Sequence, residues 1–299
     1  MGSHLCDALL AEGHSVRIFD RPNLKRFREF SADEQVEWVE GDFANQEDIA
    51  RAVPDCDVIY HLVSTTLPKS SNDNPVYDVE TNIVGTLHLL EVARKSTVRK
   101  VIFISSGGTV YGVPNSTPIN EEHPTNPICS YGISKLTIEK YLNLYFILYG
   151  LDYCVLRLAN PYGERQRTTV AQGAVAVFMH RALKNETIEI WGDGSVVRDY
   201  IYVSDAVSAM VMALFSNGQQ KMFNIGSGQG QSLNNILEAI ENVLGRPVSR
   251  IYEEGRALDV PVSVLDIEKA RNSLQWEPKV AFRDGLERTA LWMTNEGNR

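Results

Sequence analysis

Short apolar strands alternate with amphipathic helices through the first half of the chain, and this alternation most constrains the fold. Two of the strands, VIYHL within Asp57–Leu62 and VIFIS within Lys100–Ser105, are apolar at almost every position. Strands that are apolar on both faces are typical of a parallel sheet covered by helices on each side. The sequence therefore predicts an α/β fold with a doubly wound parallel sheet.

The rhythm of the chain changes after Asn160, where a proline, a glycine and the polar run ERQRTT follow. Helices and shorter strands then alternate without an internal repeat. We expect residues 1–160 to form a dinucleotide-binding domain, to which some later segments return. Residues 161–299 are expected to form mainly a smaller α/β lobe for the substrate.

Composition excludes several classes of function. The 299 residues include 29 Lys and Arg against 38 Asp and Glu, and the net charge of −9 argues against a nucleic-acid-binding protein. No apolar run approaches the roughly 20 residues that cross a bilayer, and no signal peptide is recognisable. The four cysteines are widely spaced, which predicts free thiols, no metal site and a cytoplasmic protein.

The strongest chemical signal is the segment Ser130-Tyr131-Gly132-Ile133-Ser134-Lys135. Residues four apart lie on one face of a helix, so Tyr131 and Lys135 can meet a common ligand. An ammonium group beside a phenol favours the phenolate, so we expect Lys135 to lower the pKa of Tyr131. Tyr131 would then accept a proton from a sugar or alcohol hydroxyl.

Polar residues also follow the two neighbouring strands. The strand before this helix ends in SSGGTVYG, beginning at Ser105, and the strand after it ends at Asn160. Ligands of open α/β sheets bind beyond the carboxyl ends of the strands. We expect the hydroxyls of Ser106 and Thr109 to bond the reacting oxygen there.

Several further motifs stand in a specific order and spacing. They are GSHL from Gly2, the acidic strand end Asp20-Arg21, NIVGT from Asn82, LRLANPYG ending at Gly163, GDG followed by Arg198-Asp199-Tyr200, and Arg256 followed by Asp259-Val260-Pro261. Together with SSGGTVYG and YGISK, they resemble extended short-chain dehydrogenase/reductases of the NAD-dependent nucleotide-sugar epimerase/dehydratase family. Within that family the chain is most similar to UDP-glucose and UDP-N-acetylglucosamine 4-epimerases.

This resemblance implies a Rossmann-type fold, NAD as the cofactor and a set of cofactor-binding residues. Tyr131 would be the acid/base, and Lys135 its neighbour and the ligand of the nicotinamide ribose. An acidic Asp20 would hold the adenosine ribose and favour NAD over NADP. The remaining implied cofactor-binding residues are Gly2, Arg21, Asp42, Phe43, Leu62, Asn82 and Ser105.

The resemblance also implies a UDP-sugar substrate. Arg198 and Arg256 would hold the diphosphate, because guanidinium groups bind phosphate oxygens in pairs. Asp259 would hold the uridine ribose, and Ile190 and Trp191 would lie against the uracil. Asn160 and Ser263 complete the implied substrate-binding set.

Two departures from the family pattern matter. Gly2 aligns with the last glycine of the family's Gly-rich loop, so we expect the first strand and most of that loop to be missing. We expect their loss to leave two strand edges unpaired and the chain poorly folded or weak in NAD binding. Gly107 stands where many 4-epimerases have a hydroxyl, and Gly107-Gly108 cannot supply the acidic pair of a 4,6-dehydratase.

The expected reaction is NAD-dependent 4-epimerisation of a UDP-hexose or UDP-N-acetylhexosamine through a 4-keto intermediate. The small Ser263 favours the N-acetyl sugars. Three alternatives stay open: a UDP-uronate 4-epimerase or decarboxylase, a nucleotide-sugar reductase, and an inactive sugar-nucleotide-binding paralogue. By the same resemblance, helices Val76–Lys95 and Tyr131–Tyr149 would form the interface of a homodimer.

Overall fold

The computed structural model describes residues 1–24, 26–167, 173–216, 218–255 and 260–296. The first half contains, in chain order, α1 Gly2–Ala11, β1 Val16–Asp20, β2 Val36–Glu40, α2 Gln46–Ala52, β3 Val58–His61, α3 Pro68–Asp73, α4 Pro75–Asp78, a π-helix Val79–Val84, α5 Gly85–Ala93, β4 Lys100–Ser106, α6 Ser130–Tyr149 and β5 Asp152–Leu158. The second half contains β6 Asn160–Tyr162, α7 Ala174–Leu183, β7 Ile188–Trp191, β8 Val197–Tyr202, α8 Val203–Phe215, β9 Met222–Ile225, β10 Gly230–Ser232, α9 Leu233–Leu244, β11 Arg250–Glu253, β12 Val262–Ser263, α10 Glu268–Leu274 and α11 Phe282–Glu296.

The main sheet is parallel and has the strand order β3-β4-β5-β9. Alternate side chains of β4 enter two different cores: Ile102 and Ile104 pack in one, Val101 and Phe103 in the other. Helices α1, α8 and α10 lie on the first side, and α5 and α6 on the second. This confirms the predicted α/β fold with a parallel sheet covered on both faces.

Strands β1 and β2 form a separate two-stranded parallel sheet. A cleft of about 1810 Å³ lies between β1 and β3 and is lined by both strands and by the start of α1. The expectation that a strand is missing and that the chain folds poorly is not supported, because the described residues form a well-packed fold. Val16 of β1 packs against the first core and Phe19 against the second.

The helix predicted over Val76–Lys95 is helical throughout most of its length but is not uniform. The six residues Val79–Val84 form a π-helix between α4 and α5. Such wide turns occur often at functional sites, because they redirect side chains within a helix. Here the π-helix carries Asn82.

Residues after Asn160 build a second, smaller layer. Strands β10, β8 and β12 form one sheet, to which β6 is joined through β8, and β7 pairs with β11. β9 instead joins the main sheet beside β5. The division into residues 1–160 and 161–299 stays a prediction.

Candidate active site

The predicted acid/base pair lies at the start of α6, beside the carboxyl end of β4. Lys135 Nζ is 5.6 Å from the ring centroid of Tyr131, one helical turn away. The same ammonium group donates a 2.8 Å hydrogen bond to the carbonyl of Ile104 and lies over the ring of Phe103. The structure therefore brings together the two side chains on which the chemical prediction depends.

Burial dominates the titration of this pair. It raises the pKa of Tyr131 to about 12, with further contributions from Cys129 and Asp78. It lowers the pKa of Lys135 to about 8, against the opposing charges of Glu139 and Asp78. Burial is the largest of these effects on the phenol, and the expectation that Lys135 lowers the pKa of Tyr131 stays a prediction.

The hydroxyls at the end of β4 differ in what they can offer a ligand. Ser105 is buried and donates a 2.5 Å hydrogen bond to Glu139 Oε1, so its hydroxyl is already committed. Thr109 Oγ1 is buried and has no hydrogen-bond partner. Ser106 is half-buried, and its carbonyl accepts from the Thr109 amide. A buried polar atom without a partner is costly, so Thr109 is the hydroxyl best placed for a substrate oxygen.

Packing explains the glycine at position 107. A Cβ there would lie 2.5 Å from Leu265 Cδ1 and 3.1 Å from the carbonyl oxygen of Arg157. A serine side chain therefore does not fit without displacing Leu265. A side chain at Gly132 would likewise lie 2.9 Å from the carbonyl of Thr109, and this close approach packs the Thr109 segment against the start of α6.

The cleft between β1 and β3 collects most of the predicted cofactor-binding residues. Its lining includes Gly2, Asp20, Arg21, Asp42, Phe43 and Leu62. These groups fit NAD. The carboxylate of Asp20 at the end of β1 suits ribose hydroxyls, and the first-turn amides of α1 suit a diphosphate.

The cofactor-side residues are held by specific contacts. Asp20 Oδ1 accepts a 2.8 Å hydrogen bond from the amide of Arg21, and Asp42 Oδ1 accepts one of 2.9 Å from the amide of Ala44. Phe43 is buried, with its ring centroid 5.1 Å from that of His61. Asn82 is also buried, and its Oδ1 accepts from the amide of Thr65, which lines the cleft.

Three of the predicted substrate-binding residues, Asn160, Arg198 and Ser263, lie in or beside the strands of the smaller layer. Asn160 Nδ2 donates a 2.9 Å hydrogen bond to the carbonyl of Asp199, and Arg198 donates one of 2.5 Å to the carbonyl of Val260. Ser263 is buried and pairs with Arg198 in the sheet. Arg256 and Asp259 lie outside the described residues.

The two residues predicted to lie against a uracil differ in burial. Burial alternates along β7, so the Ile190 side chain lies fully in the core while that of Trp191 is 44% exposed. A contact of Ile190 with a uracil would have to come from its backbone, and it stays a prediction. Of these two residues, only Trp191 offers a side chain to a ligand.

Sequence reasoning missed a buried polar network behind the pair. Glu139 forms a 2.7 Å ion pair with Arg157, and both side chains are buried. Asp78 is fully buried and accepts hydrogen bonds from Ser130 and Ser134. Glu139 stands four residues after Lys135, so its helical spacing was the available signal.

The described residues contain neither a cluster of metal ligands nor a membrane-spanning helix. No group of three or more His, Cys, Asp or Glu side chains in those residues could hold a metal ion. None of the helices that the structure describes is long and apolar enough to span a bilayer.

Residues 1–226 match the NAD dependent epimerase/dehydratase family. A putative UDP-glucose 4-epimerase of Methanocaldococcus jannaschii is 38% identical over 99% of this chain and 95% of its own length. The chain belongs to this family. That result confirms the predicted family, its enzymatic class and NAD as its cofactor.

Solved structures agree with this assignment. The UDP-glucose 4-epimerase of Thermotoga maritima, solved with UDP-glucose, has a TM-score of 0.93 at 35% identity and covers 99% of this chain and 96% of its own. The UDP-N-acetylglucosamine 4-epimerase of Methanobrevibacter ruminantium, in complex with UDP-N-acetylmuramic acid, has a TM-score of 0.91 at 28% identity, with coverages of 99% and 95%. The Rossmann-type fold predicted from the motifs is therefore confirmed.

Proposed function

We propose that this chain interconverts C4 epimers of a UDP-hexose or UDP-N-acetylhexosamine, with NAD retained as a bound cofactor. The observation that carries the proposal is the placement of Tyr131, Lys135 and the partnerless Thr109 hydroxyl at one end of β4. Family membership and the similarity to UDP-sugar 4-epimerases support the reaction type.

Each residue of this group has a distinct task in the proposed reaction. NAD, held by the cleft residues named above, would supply the hydride acceptor for oxidation at C4 and the hydride donor for the reverse reduction. Tyr131 takes the proton of the C4 hydroxyl and gives it back. Thr109 hydrogen-bonds the reacting oxygen, and Ser106 is a second candidate for that bond. Lys135 holds a positive charge beside Tyr131 and so stabilises its phenolate, which is the form that accepts this proton.

We propose that residues 161–299 mainly hold the nucleotide sugar. Trp191 would lie against the uracil, and Arg198 and Arg256 would hold the diphosphate, with Asp259 on the uridine ribose. Asn160 would bind near the sugar. Ser263 is small and buried, which leaves room for an N-acetyl group and favours a UDP-N-acetylhexosamine as substrate.

We further propose a homodimer and a cytoplasmic location. Apolar side chains of α4 and the C-terminal half of α6 are exposed, among them Val76, Tyr77, Ile147 and Leu148. Large exposed apolar patches mark interaction surfaces. A second copy of the chain would bury them in a helix-to-helix interface.

A substrate panel tests the reaction. Purified protein is incubated with NAD and UDP-N-acetylglucosamine, UDP-glucose or UDP-glucuronate, and the products are separated by chromatography. We expect epimers of the first two, without net NADH consumption and without release of carbon dioxide. Reaction of UDP-glucuronate alone would support a uronate enzyme, and net NADH consumption a reductase. Binding of UDP-sugar without any turnover would indicate an inactive paralogue.

Substitution of the acid/base provides the matched control. Tyr131→Phe is expected to lower kcat by about 10²- to 10⁴-fold, since general acid–base catalysis contributes that much. Tyr141→Phe removes a hydroxyl from the same helix, α6, and should leave kcat unchanged. Equal kcat values for the two variants would overturn the assigned role of Tyr131.

A further inference from the structure

Asp78 is a fully buried carboxylate whose charge is met by hydrogen bonds rather than by a cation. None of the ion pairs found among the described residues includes it. Its Oδ1 accepts hydrogen bonds from Thr66 Oγ1 and, at 3.0 Å, from Asn82 Nδ2. A buried charge is costly unless it is hydrogen-bonded, and these donors offset that cost.

The other carboxylate oxygen faces the catalytic helix α6. Oδ2 accepts a 2.8 Å hydrogen bond from Ser130 Oγ and one of 2.6 Å from Ser134 Oγ. These serines immediately precede Tyr131 and Lys135, respectively. Asp78 therefore fixes the first turn of α6 through the residues next to both catalytic side chains.

Asp78 also orients a residue of the cofactor side. Asn82 donates through Nδ2 to the carboxylate and to the backbone carbonyl of Asp78, at 3.0 and 3.1 Å. Its Oδ1 then faces the amide of Thr65 at the cleft. One carboxylate thus joins the π-helix that carries Asn82 to the helix that carries the acid/base.

Asp78 differs from the other charged groups around Tyr131 and Lys135. The groups that face Lys135 are Glu139 of the same helix, Asp78 of α4, His61 of β3 and the phenol of Tyr131. Glu139 is neutralised by its ion pair with Arg157 of β5.

Cys129, at the start of α6, also faces the phenol. His61 is a neutral imidazole, because burial and Lys135 lower its pKa to about 3. Asp78 is therefore the carboxylate beside this pair that carries its charge without an ion-pair partner among the described residues.

We propose that Asp78 is a positioning residue of this active site: it orients Asn82 and the first turn of α6 and keeps a negative charge beside Tyr131 and Lys135. This inference rests on the proposed epimerase function and adds to it a determinant of the working pH. A negative charge raises the pKa of a nearby phenol, so Asp78 adds to the effect of burial and raises further the pH below which Tyr131 cannot act as a base.

Asp78→Asn in the full chain tests the charge. The amide keeps the size of the side chain, and the hydroxyls of Ser130 and Ser134 can rotate to suit it. We expect kcat to fall and the acidic limb of its pH profile to move down by roughly one pH unit, since removal of a nearby like charge produces shifts of that order. Glu80→Gln removes an exposed acid two residues away and should move neither quantity.

Ser134→Ala tests the positioning of α6 separately from the charge of Asp78. It also tests the proposal if Asp78→Asn does not fold. It removes one donor but keeps the carboxylate, so we expect a lower kcat with the acidic limb unmoved. Both variants are also titrated by ultraviolet absorbance of the phenolate, with Tyr131→Phe as the reference. The Tyr131 transition should move down in Asp78→Asn only.

Different results would contradict the epimerase function and the positioning role of Asp78. If the wild-type protein turns over none of the UDP-sugars, the epimerase function is wrong, while the phenolate titration still decides the role of Asp78. An unchanged kcat profile and an unchanged phenolate transition in Asp78→Asn would overturn the positioning role. If Ser134→Ala matched the wild type in kcat, the proposed fixing of α6 by this carboxylate would be wrong.

Discussion

At the scale of single residues, the chain contains two threonine hydroxyls with opposite properties. Thr109 Oγ1 is buried without a hydrogen-bond partner at the site, whereas Thr289 is fully buried in α11 and donates a 2.7 Å hydrogen bond to the carbonyl of Gly285. Such an unpaired hydroxyl lowers stability, and an enzyme retains it where a ligand supplies the missing partner. The pair therefore allows function and stability to be separated.

Thr109→Val is expected to lower kcat while leaving the protein at least as stable. The methyl group replaces an unpaired hydroxyl, so the free energy of unfolding should stay the same or rise by about 1 kcal/mol. Loss of the bond to the reacting oxygen should lower kcat by about 10²-fold, as for other donors to a reacting oxygen. Thr289→Val should do the reverse, losing stability without losing kcat. Urea unfolding and steady-state rates measure both, and full activity in Thr109→Val would contradict the assignment.

His61 makes stability depend on pH. Its ring lies between Phe43 and Phe103, and its Nε2 is 2.8 Å from Thr86 Oγ1. Because burial lowers its pKa to about 3, the unfolded chain binds a proton here at a pH where the folded chain does not. The stability that His61 contributes is complete above its unfolded pKa and is lost as the pH falls toward 3.

We expect His61 alone to lower the free energy of unfolding by about 2 kcal/mol as the pH falls from neutral to 5. His61→Phe keeps the aromatic cluster and should flatten that part of the stability profile. Thr86 keeps a partner in this variant, because its hydroxyl donates to the carbonyl of Asn82. Unfolding in urea at several pH values measures the slope, with His14→Phe as the control. The same slope in His61→Phe and the wild type would show that another group is responsible.

At the scale of elements, one buried ion pair joins α6 to β5. Arg157 donates to Glu139 and also, at 3.0 Å, to the hydroxyl of Tyr111, which itself donates to Asn224 of β9. Ser105 at the end of β4 donates to the same glutamate. The network therefore fixes the catalytic helix on the strand ends that form the site.

Arg157→Met should destabilise the protein by about 3–5 kcal/mol, because it leaves a buried carboxylate unpaired. Removing both partners, in Arg157→Met with Glu139→Met, should cost less than the sum of the single substitutions. Arg51→Met breaks an exposed pair with Asp48 and should cost less than about 1 kcal/mol. Urea unfolding of Arg157→Met, Glu139→Met, the double variant and Arg51→Met measures these free energies. Additive costs in the double variant would mean that the two side chains do not act together.

The elements also show what sequence can and cannot predict. The long helix α6, predicted over Tyr131–Tyr149, and the apolar strand β4, predicted over Lys100–Ser105, each lie within one residue of the predicted bounds. Helix α3 was missed because PKSSND has no apolar face. β12 was missed because two residues become a strand only through pairing with β8.

The same limit applies to the site. Local spacing identified Tyr131 and Lys135. The commitment of the Ser105 hydroxyl and the burial of Ile190 depend on neighbours that are distant in sequence. Buried charges such as Asp78 gave no local signal, because their donors come from three separate elements.

At the scale of the whole molecule, the exposed apolar side chains of α4 and α6 predict how two copies of the chain associate. On α6, the residues that face β4 and β5 are buried, while Ile147 is 68% exposed and Leu148 58% exposed. Val76 and Tyr77 of α4 are exposed as well, and α4 is in contact with α6. Two adjacent helices thus present apolar side chains away from the core, which is the arrangement expected of a helix-to-helix interface between two copies.

Ile147→Glu is therefore expected to convert a dimer into monomers, because a charge would be buried within the interface. Leu291→Glu is the matched control, since Leu291 is 65% exposed on α11 and carries no role in the proposed interface. Sedimentation velocity over a range of protein concentrations distinguishes the species. We expect a dimer for the wild type and Leu291→Glu, and a monomer for Ile147→Glu. The α4–α6 surface is not the interface if Ile147→Glu remains dimeric, and the homodimer itself is excluded if the wild type sediments as a monomer at every concentration.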